Sequence, residues 1–71
     1  MKLPRVSGME TLKALTKLGY QINRQRGSHI MLTCVGKQQL VVPNHRELDN
    51  GTLRQIIKDA GLAVEEFIQL L

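Results

Sequence analysis

Histidine is the side chain that takes up and releases protons near neutral pH, and this 71-residue sequence holds two, His29 and His45. The first stands in Arg24-Gln25-Arg26-Gly27-Ser28-His29-Ile30-Met31-Leu32, where two arginines, a glycine and a serine precede an alternating apolar run. Gly27 allows close approach of the backbone and Ser28 offers a hydroxyl. Arg24 and Arg26 are permanent cations whose planar forks suit a phosphate. A histidine beside such groups is equipped for proton transfer on a phosphodiester. The blander role is a packed core histidine or a hydrogen-bonded surface one. Alternation speaks against the core: Ile30, Leu32 and Cys34 share one face of a strand, while His29, Met31, Thr33 and Val35 share the other. His29 is expected to point away from the core.

The other candidates rank lower. His45, in Pro43-Asn44-His45-Arg46, is a loop histidine beside an arginine, a pattern that fits a phosphate contact or plain surface. Lys37, in the turn Gly36-Lys37, could add a further cation to a phosphate site. Ser28 has no acid nearby to orient a Ser–His pair, so it is a poor nucleophile. Cys34 is the single cysteine and lies on the apolar face, which predicts a core residue and excludes an intrachain disulfide. No Cys/His cluster has zinc spacing, and the acids gather toward the C-terminus, so neither a metal site nor a cofactor is expected.

The elements that must position these residues follow from periodicity. Ser7-Gly8-Met9-Glu10 has the form of a capping box, and Met9, Leu12, Leu15 and Leu18 then predict an amphipathic helix closed by Gly19. From Tyr20 the period becomes two, with Tyr20 and Ile22 on one side and Gln21, Asn23 and Gln25 on the other, which predicts a half-buried strand. Gly27-Ser28 and Gly36-Lys37 mark turns, and a third strand runs from Gln39 to Val42, stopped by Pro43. Asp49 or Asn50 starts a helix carrying Leu53, Ile56, Ile57 and Ala60, with Gly61 after its end. Val64, Phe67, Ile68 and Leu71 predict a short third helix with Glu65 and Glu66 in its first turn, where acids favour the dipole. The expected fold is α+β, ordered α-β-β-β-α-α: a three-stranded antiparallel meander with one face under the helices.

Seventy-one residues suffice for one small domain, here residues 1–71, and for an open face or shallow groove rather than a deep pocket. Residues 1–46 carry eight Lys or Arg against Glu10 alone, a balance of +7; residues 47–71 carry two against five acids, a balance of −3. A basic N-terminal two-thirds suits a polyanion, most simply nucleic acid, although a solvated charged surface would look the same. Tyr20 and Phe67 are the only aromatic residues and both read as core, so a base-stacking sheet is excluded and recognition would rest on charge and shape. With no signal-peptide core, no run of membrane-spanning length and a lone cysteine, the expected setting is soluble and cytoplasmic.

Taken in order, four fragments carry a family likeness: Gly27-Ser28-His29 after a helix ending Leu18-Gly19-Tyr20; Val42-Pro43-Asn44-His45; Gly51-Thr52-Leu53-Arg54-Gln55-Ile56; and Glu65-Glu66-Phe67. Together they make the chain resemble the HicA family of bacterial toxins over essentially its whole length. The resemblance implies a double-stranded-RNA-binding-domain-like fold, α-β-β-β-α, here with a short extra C-terminal helix. It implies a ribonuclease that cleaves messenger RNA and arrests translation, neutralised by a cognate HicB-type antitoxin in a hetero-oligomer. It places the family's catalytic histidine at His29. Ile30-Met31 stand where the family often has a histidine or an aromatic residue, so no stacking contribution is expected there.

The chemistry expected of these residues is metal-independent RNA cleavage by 2′-OH attack on the adjacent phosphate. His29 would act as general base or acid, with Arg24, Arg26 and Lys37 neutralising the phosphate, and Gly27, Ser28, His45 and Arg46 as further phosphate contacts. Two other classes compete: a non-catalytic RNA- or DNA-binding module that leaves its ligand intact, and a structural protein whose basic face docks an acidic partner.

Overall fold

The structure, a computed structural model, describes residues 2–71. Its first helix, α1 (Gly8–Leu18), opens on the expected capping box: the Glu10 N–H donates to Ser7 Oγ at 3.0 Å and the Ser7 N–H donates to Glu10 Oε1 at 2.9 Å. The buried face of α1 is Gly8, Thr11, Leu12, Ala14 and Leu15, with Gly19 closing the helix in the left-handed conformation. Met9, expected on the apolar stripe, is instead 46% exposed. The reason is geometric. Each three-residue step falls about 60° short of a full turn, so a series of such steps walks around the helix and leaves Met9 on the side opposite Leu18.

Three strands follow, β1 (Gln21–Arg26), β2 (His29–Thr33) and β3 (Leu40–Pro43), then α2 (Asn50–Asp59) and α3 (Val64–Leu70). The order α-β-β-β-α-α is the one periodicity predicts. The sheet is antiparallel in the order β1-β2-β3. Helices α1 and α2 pack on β3, and α3 packs on α1 and α2. The core gathers Leu12, Leu15, Ile30, Leu32, Leu40, Val42, Leu53, Ile56, Ile57 and Phe67 between sheet and helices. Cys34 packs at the edge of this core, half-buried.

Two strand expectations need correction. The first strand is not half-buried: every residue of β1 is exposed, and Ile22 is 55% accessible. The helices lie over β3, at the far side of the sheet, so the core-side face of β1 has no cover. Tyr20 is buried just before the strand, where its hydroxyl donates to the Gln38 carbonyl at 2.8 Å. Burial pushes its phenol above the ordinary value, with Cys34 and Asp59 adding to the effect. The connection from β2 to β3 is also longer than a tight turn at Gly36-Lys37, because β2 ends at Thr33 and β3 starts at Leu40.

Helix α2 is capped by Asp49, whose Oδ2 accepts from the Thr52 N–H at 3.3 Å, and it buries Leu53, Ile56 and Ile57 as expected. In α3 the Ala63 N–H donates to Glu66 Oε1 at 2.8 Å, and Phe67 is fully buried. The N-terminal segment is stitched to the loop after β3: the Leu48 N–H donates to the Val6 carbonyl and the Gly8 N–H to the His45 carbonyl, both at 2.9 Å. Gly8 must be glycine for that approach, because a Cβ there would overlap the Pro43 carbonyl.

Candidate functional site

The β1–β2 hairpin turns through two residues, Gly27 and Ser28, between the paired Arg26 and His29. Gly27 has φ 58° and among the described residues no non-glycine takes a positive φ, so only the first turn residue is left-handed, the pattern of a type II′ turn. The Gln25 amide donates to the Gly27 carbonyl at 3.0 Å and steadies the tip. Directly after the turn, His29 opens β2, exposed, while the next residue, Ile30, is 3% accessible. The histidine therefore lies on the open face of the sheet, as alternation predicts.

A β-bulge decides what surrounds it. Ile22 pairs with Leu32, but Arg24 pairs with Met31 and Arg26 with His29, and the register shifts between Ile22 and Arg24. Strict alternation would keep Arg24 and Arg26 on the side of Tyr20 and Ile22, that is, toward the core. The extra residue, Asn23, breaks that phase and puts both arginines on the face of His29. On the other side, His29 pairs with Pro43 and Met31 with Val41. Across the sheet the open face thus reads Arg26, His29, Pro43 in one row and Arg24, Met31, Val41 in the next.

These rows enclose a shallow groove of about 330 Å³ lined by Arg24, Arg26, His29, Met31 and Val41. Arg24 Nε donates to Met31 Sδ at 3.2 Å, which lays the guanidinium across the floor. Two cations above an apolar floor, with an imidazole between them and the strand edge, form a place where a phosphate can rest and exchange a proton. Val41, 44% exposed, is a lining residue that the sequence reading left unassigned. The signal was present, since Leu40 and Val42 are core residues and alternation turns Val41 outward.

The remaining site candidates divide. Gly27 and Ser28 form the turn beside His29, and the Ser28 carbonyl accepts from the Asn44 N–H at 2.6 Å, which brings His45 and Arg46 to the same end of the sheet. Both are exposed there. Lys37 does not join them. It sits in the β2–β3 connection at the opposite end of the sheet, where its Nζ donates to the Ala60 carbonyl at 3.3 Å. A cation at the end of α2 meets the negative pole of the helix, so Lys37 is placed as a cap rather than as a phosphate ligand.

A larger groove of about 550 Å³ lies between β3 and α2, but Asp49 and Asp59 line it, and their charge opposes an anion. Among the described residues no three His, Cys, Asp or Glu side chains come together as metal ligands would. Among them, too, no helix is long and apolar enough to cross a membrane.

Fold and site together define a small α+β protein with a cationic sheet face built around one exposed histidine. The family model described as the HicA toxin of bacterial toxin–antitoxin matches residues 8–62, which spans α1 through α2 and both histidines. The chain belongs to the HicA toxin family. Such a toxin has an antitoxin as its partner in general. No curated protein matches the chain at a significant level.

Proposed function

We propose that this HicA-family toxin is an mRNA interferase, a cytoplasmic endoribonuclease acting as a single domain over residues 1–71. The observation that carries the reading is the ladder pair Arg26–His29 beside Arg24–Met31, which sets an exposed imidazole in a groove beside two arginine side chains. The substrate phosphate lies against Arg24 and Arg26, and His29 moves a proton as general base or general acid. The nucleophile is the 2′-hydroxyl next to the scissile phosphate, which RNA has and DNA lacks. This route needs no metal-bound water. The arginines hold charge where it develops on the non-bridging oxygens, and Gly27, Ser28, His45 and Arg46 border the same end of the sheet. A HicB-type antitoxin silences the toxin by covering this face, since occupying it blocks both RNA and His29.

Purified protein incubated with a defined RNA oligonucleotide tests the reading. Wild-type protein cleaves the RNA, His29→Ala does not, and a single deoxy substitution at the scissile nucleotide prevents cleavage there. Expression of wild-type protein arrests growth and His29→Ala relieves it. Undiminished cleavage by His29→Ala would sink the assignment. Tight, salt-sensitive binding with the RNA left intact would instead establish a non-catalytic binding module.

A further inference from the structure

The β2–β3 register, which runs from Leu32–Leu40 to His29–Pro43, continues past the end of β3. The Asn44 N–H donates to the Ser28 carbonyl at 2.6 Å, and Ser28 and Asn44 fall in the same register as the four pairs before them. Side chains alternate along such a ladder, and the same alternation carried two residues beyond Pro43 would bring His45 onto the face that carries His29. The two histidines are then diagonal neighbours, and diagonals across an antiparallel pair stand roughly 7–8 Å apart. One phosphodiester fills a gap of that size, with each imidazole reaching a different oxygen.

The backbone holds His45 there from two sides. Asn44 is tied to the hairpin tip, and the His45 carbonyl accepts from the Gly8 N–H at 2.9 Å, at the first residue of α1. The His45 side chain takes no part in these bonds and is exposed. Arg26, paired with His29, adds a cation on the same face.

From this geometry we infer that His45 is the second proton-transfer group of the cleavage, an inference that rests on the ribonuclease reading above. One imidazole accepts the proton of the 2′-hydroxyl as the 2′-oxygen forms its bond to phosphorus. The other, protonated, delivers its proton to the 5′-oxygen as the phosphorus–oxygen bond to that group breaks. The products are a 2′,3′-cyclic phosphate and a 5′-hydroxyl, and the two histidines end with their protonation states exchanged.

A sulfur leaving group separates this role from mere binding. Two RNA oligonucleotides are compared, one natural and one with a bridging 5′-sulfur at the scissile phosphate, because a thiolate departs without needing a proton. His45→Ala keeps the backbone carbonyl that Gly8 uses, and its circular dichroism and melting curve should match wild type. On the natural substrate, His29→Ala and His45→Ala should each lose about 100-fold or more in rate, the scale of one acid–base group. With the sulfur substrate, one of the two variants, the one lacking the acid, should recover to within about threefold of wild type, while the other stays impaired. Recovery of one variant and not the other supports the pair and identifies the acid. Equal losses on both substrates, recovery of both variants, or near-wild-type cleavage by His45→Ala would overturn the role of His45 while leaving His29 as the catalyst. Cleavage of neither substrate by wild-type protein would overturn the ribonuclease reading, and the pair with it.

Discussion

At the scale of single residues, position on the sheet separates cations that composition makes equivalent. Arg26 stands directly across the ladder from His29, whereas Lys37 caps α2 at the other end of the molecule. On the proposed ribonuclease reading, removing Arg26 takes away charge that stabilises the transition state, whereas removing Lys37 takes away a helix contact. Arg26→Ala should lower kcat/KM for a short RNA by about 100-fold, by analogy with one preorganised donor at a reacting oxyanion. Lys37→Ala should leave cleavage near wild type and instead lower the melting temperature slightly. The two variants assayed side by side check this, and equal losses of activity would show that the groove is not where the phosphate sits. Arg26→Lys should recover the activity only in part, since an ammonium keeps the charge but not the fork.

Among the elements, the N-termini of α1 and α2 carry the most consequence. Gly8 lets α1 press against the end of β3, and the same residue donates to the His45 carbonyl. An added methyl has nowhere to go except into the Pro43 carbonyl. Gly8→Ala should cost about 2 kcal/mol in a urea melt, despite alanine being the better helix former. It should also disturb His45, so activity should fall in the surviving folded fraction. A fully stable, fully active Gly8→Ala would mean that the two segments are not in contact.

Asp49 illustrates the electrostatic side of capping. Its carboxyl lies below its ordinary value of 3.8 because the hydrogen bonds from Thr52, side chain first, favour the charged form. A carboxylate depressed in this way contributes stability above its unfolded value, and the contribution is lost as pH falls through the folded one. Asp49→Asn keeps a capping oxygen without the charge. Its urea midpoint should lie below wild type at neutral pH, and the gap should close as pH falls from about 4, where the unfolded carboxylate begins to take up its proton, through the lower value of the folded protein.

At the scale of the whole molecule, charge is segregated: +7 over residues 1–46 and −3 over residues 47–71. The acids gather in the C-terminal third, where Asp49 and Asp59 line the groove between β3 and α2, away from the guanidinium groups of β1. A polyanion is thereby steered to one side of the protein. Binding of single-stranded RNA to His29→Ala should weaken linearly with the logarithm of salt. Arg24→Ala or Arg26→Ala in that background should each reduce the slope by about 0.7, the share of one phosphate contact on a single strand. Fluorescence anisotropy over a salt series measures it, and a slope unmoved by either arginine would place the RNA elsewhere.

The sequence by itself determined the element order, the capping box of α1 and the outward direction of His29. These are local matters: a capping box closes within four residues, and strand parity follows from the pleat. It also marked Gly27-Ser28 as the turn, because a two-residue hairpin needs glycine where φ is positive. Tertiary structure decided the rest. Asn23 looks like any polar strand residue, yet as the bulge it moves Arg24 and Arg26 onto the face of His29, and only the pairing with β2 shows the shift. Ile22 reads as a core residue but is left uncovered, since the helices settle over β3. Lys37 and His45 look alike in sequence as polar loop residues near glycine or proline. Contacts in space send one to the end of α2 and, through the Asn44–Ser28 bond, bring the other to the end of the sheet where His29 stands. Periodicity reports which way a side chain points; which side chains meet depends on register and on where the helices come to rest.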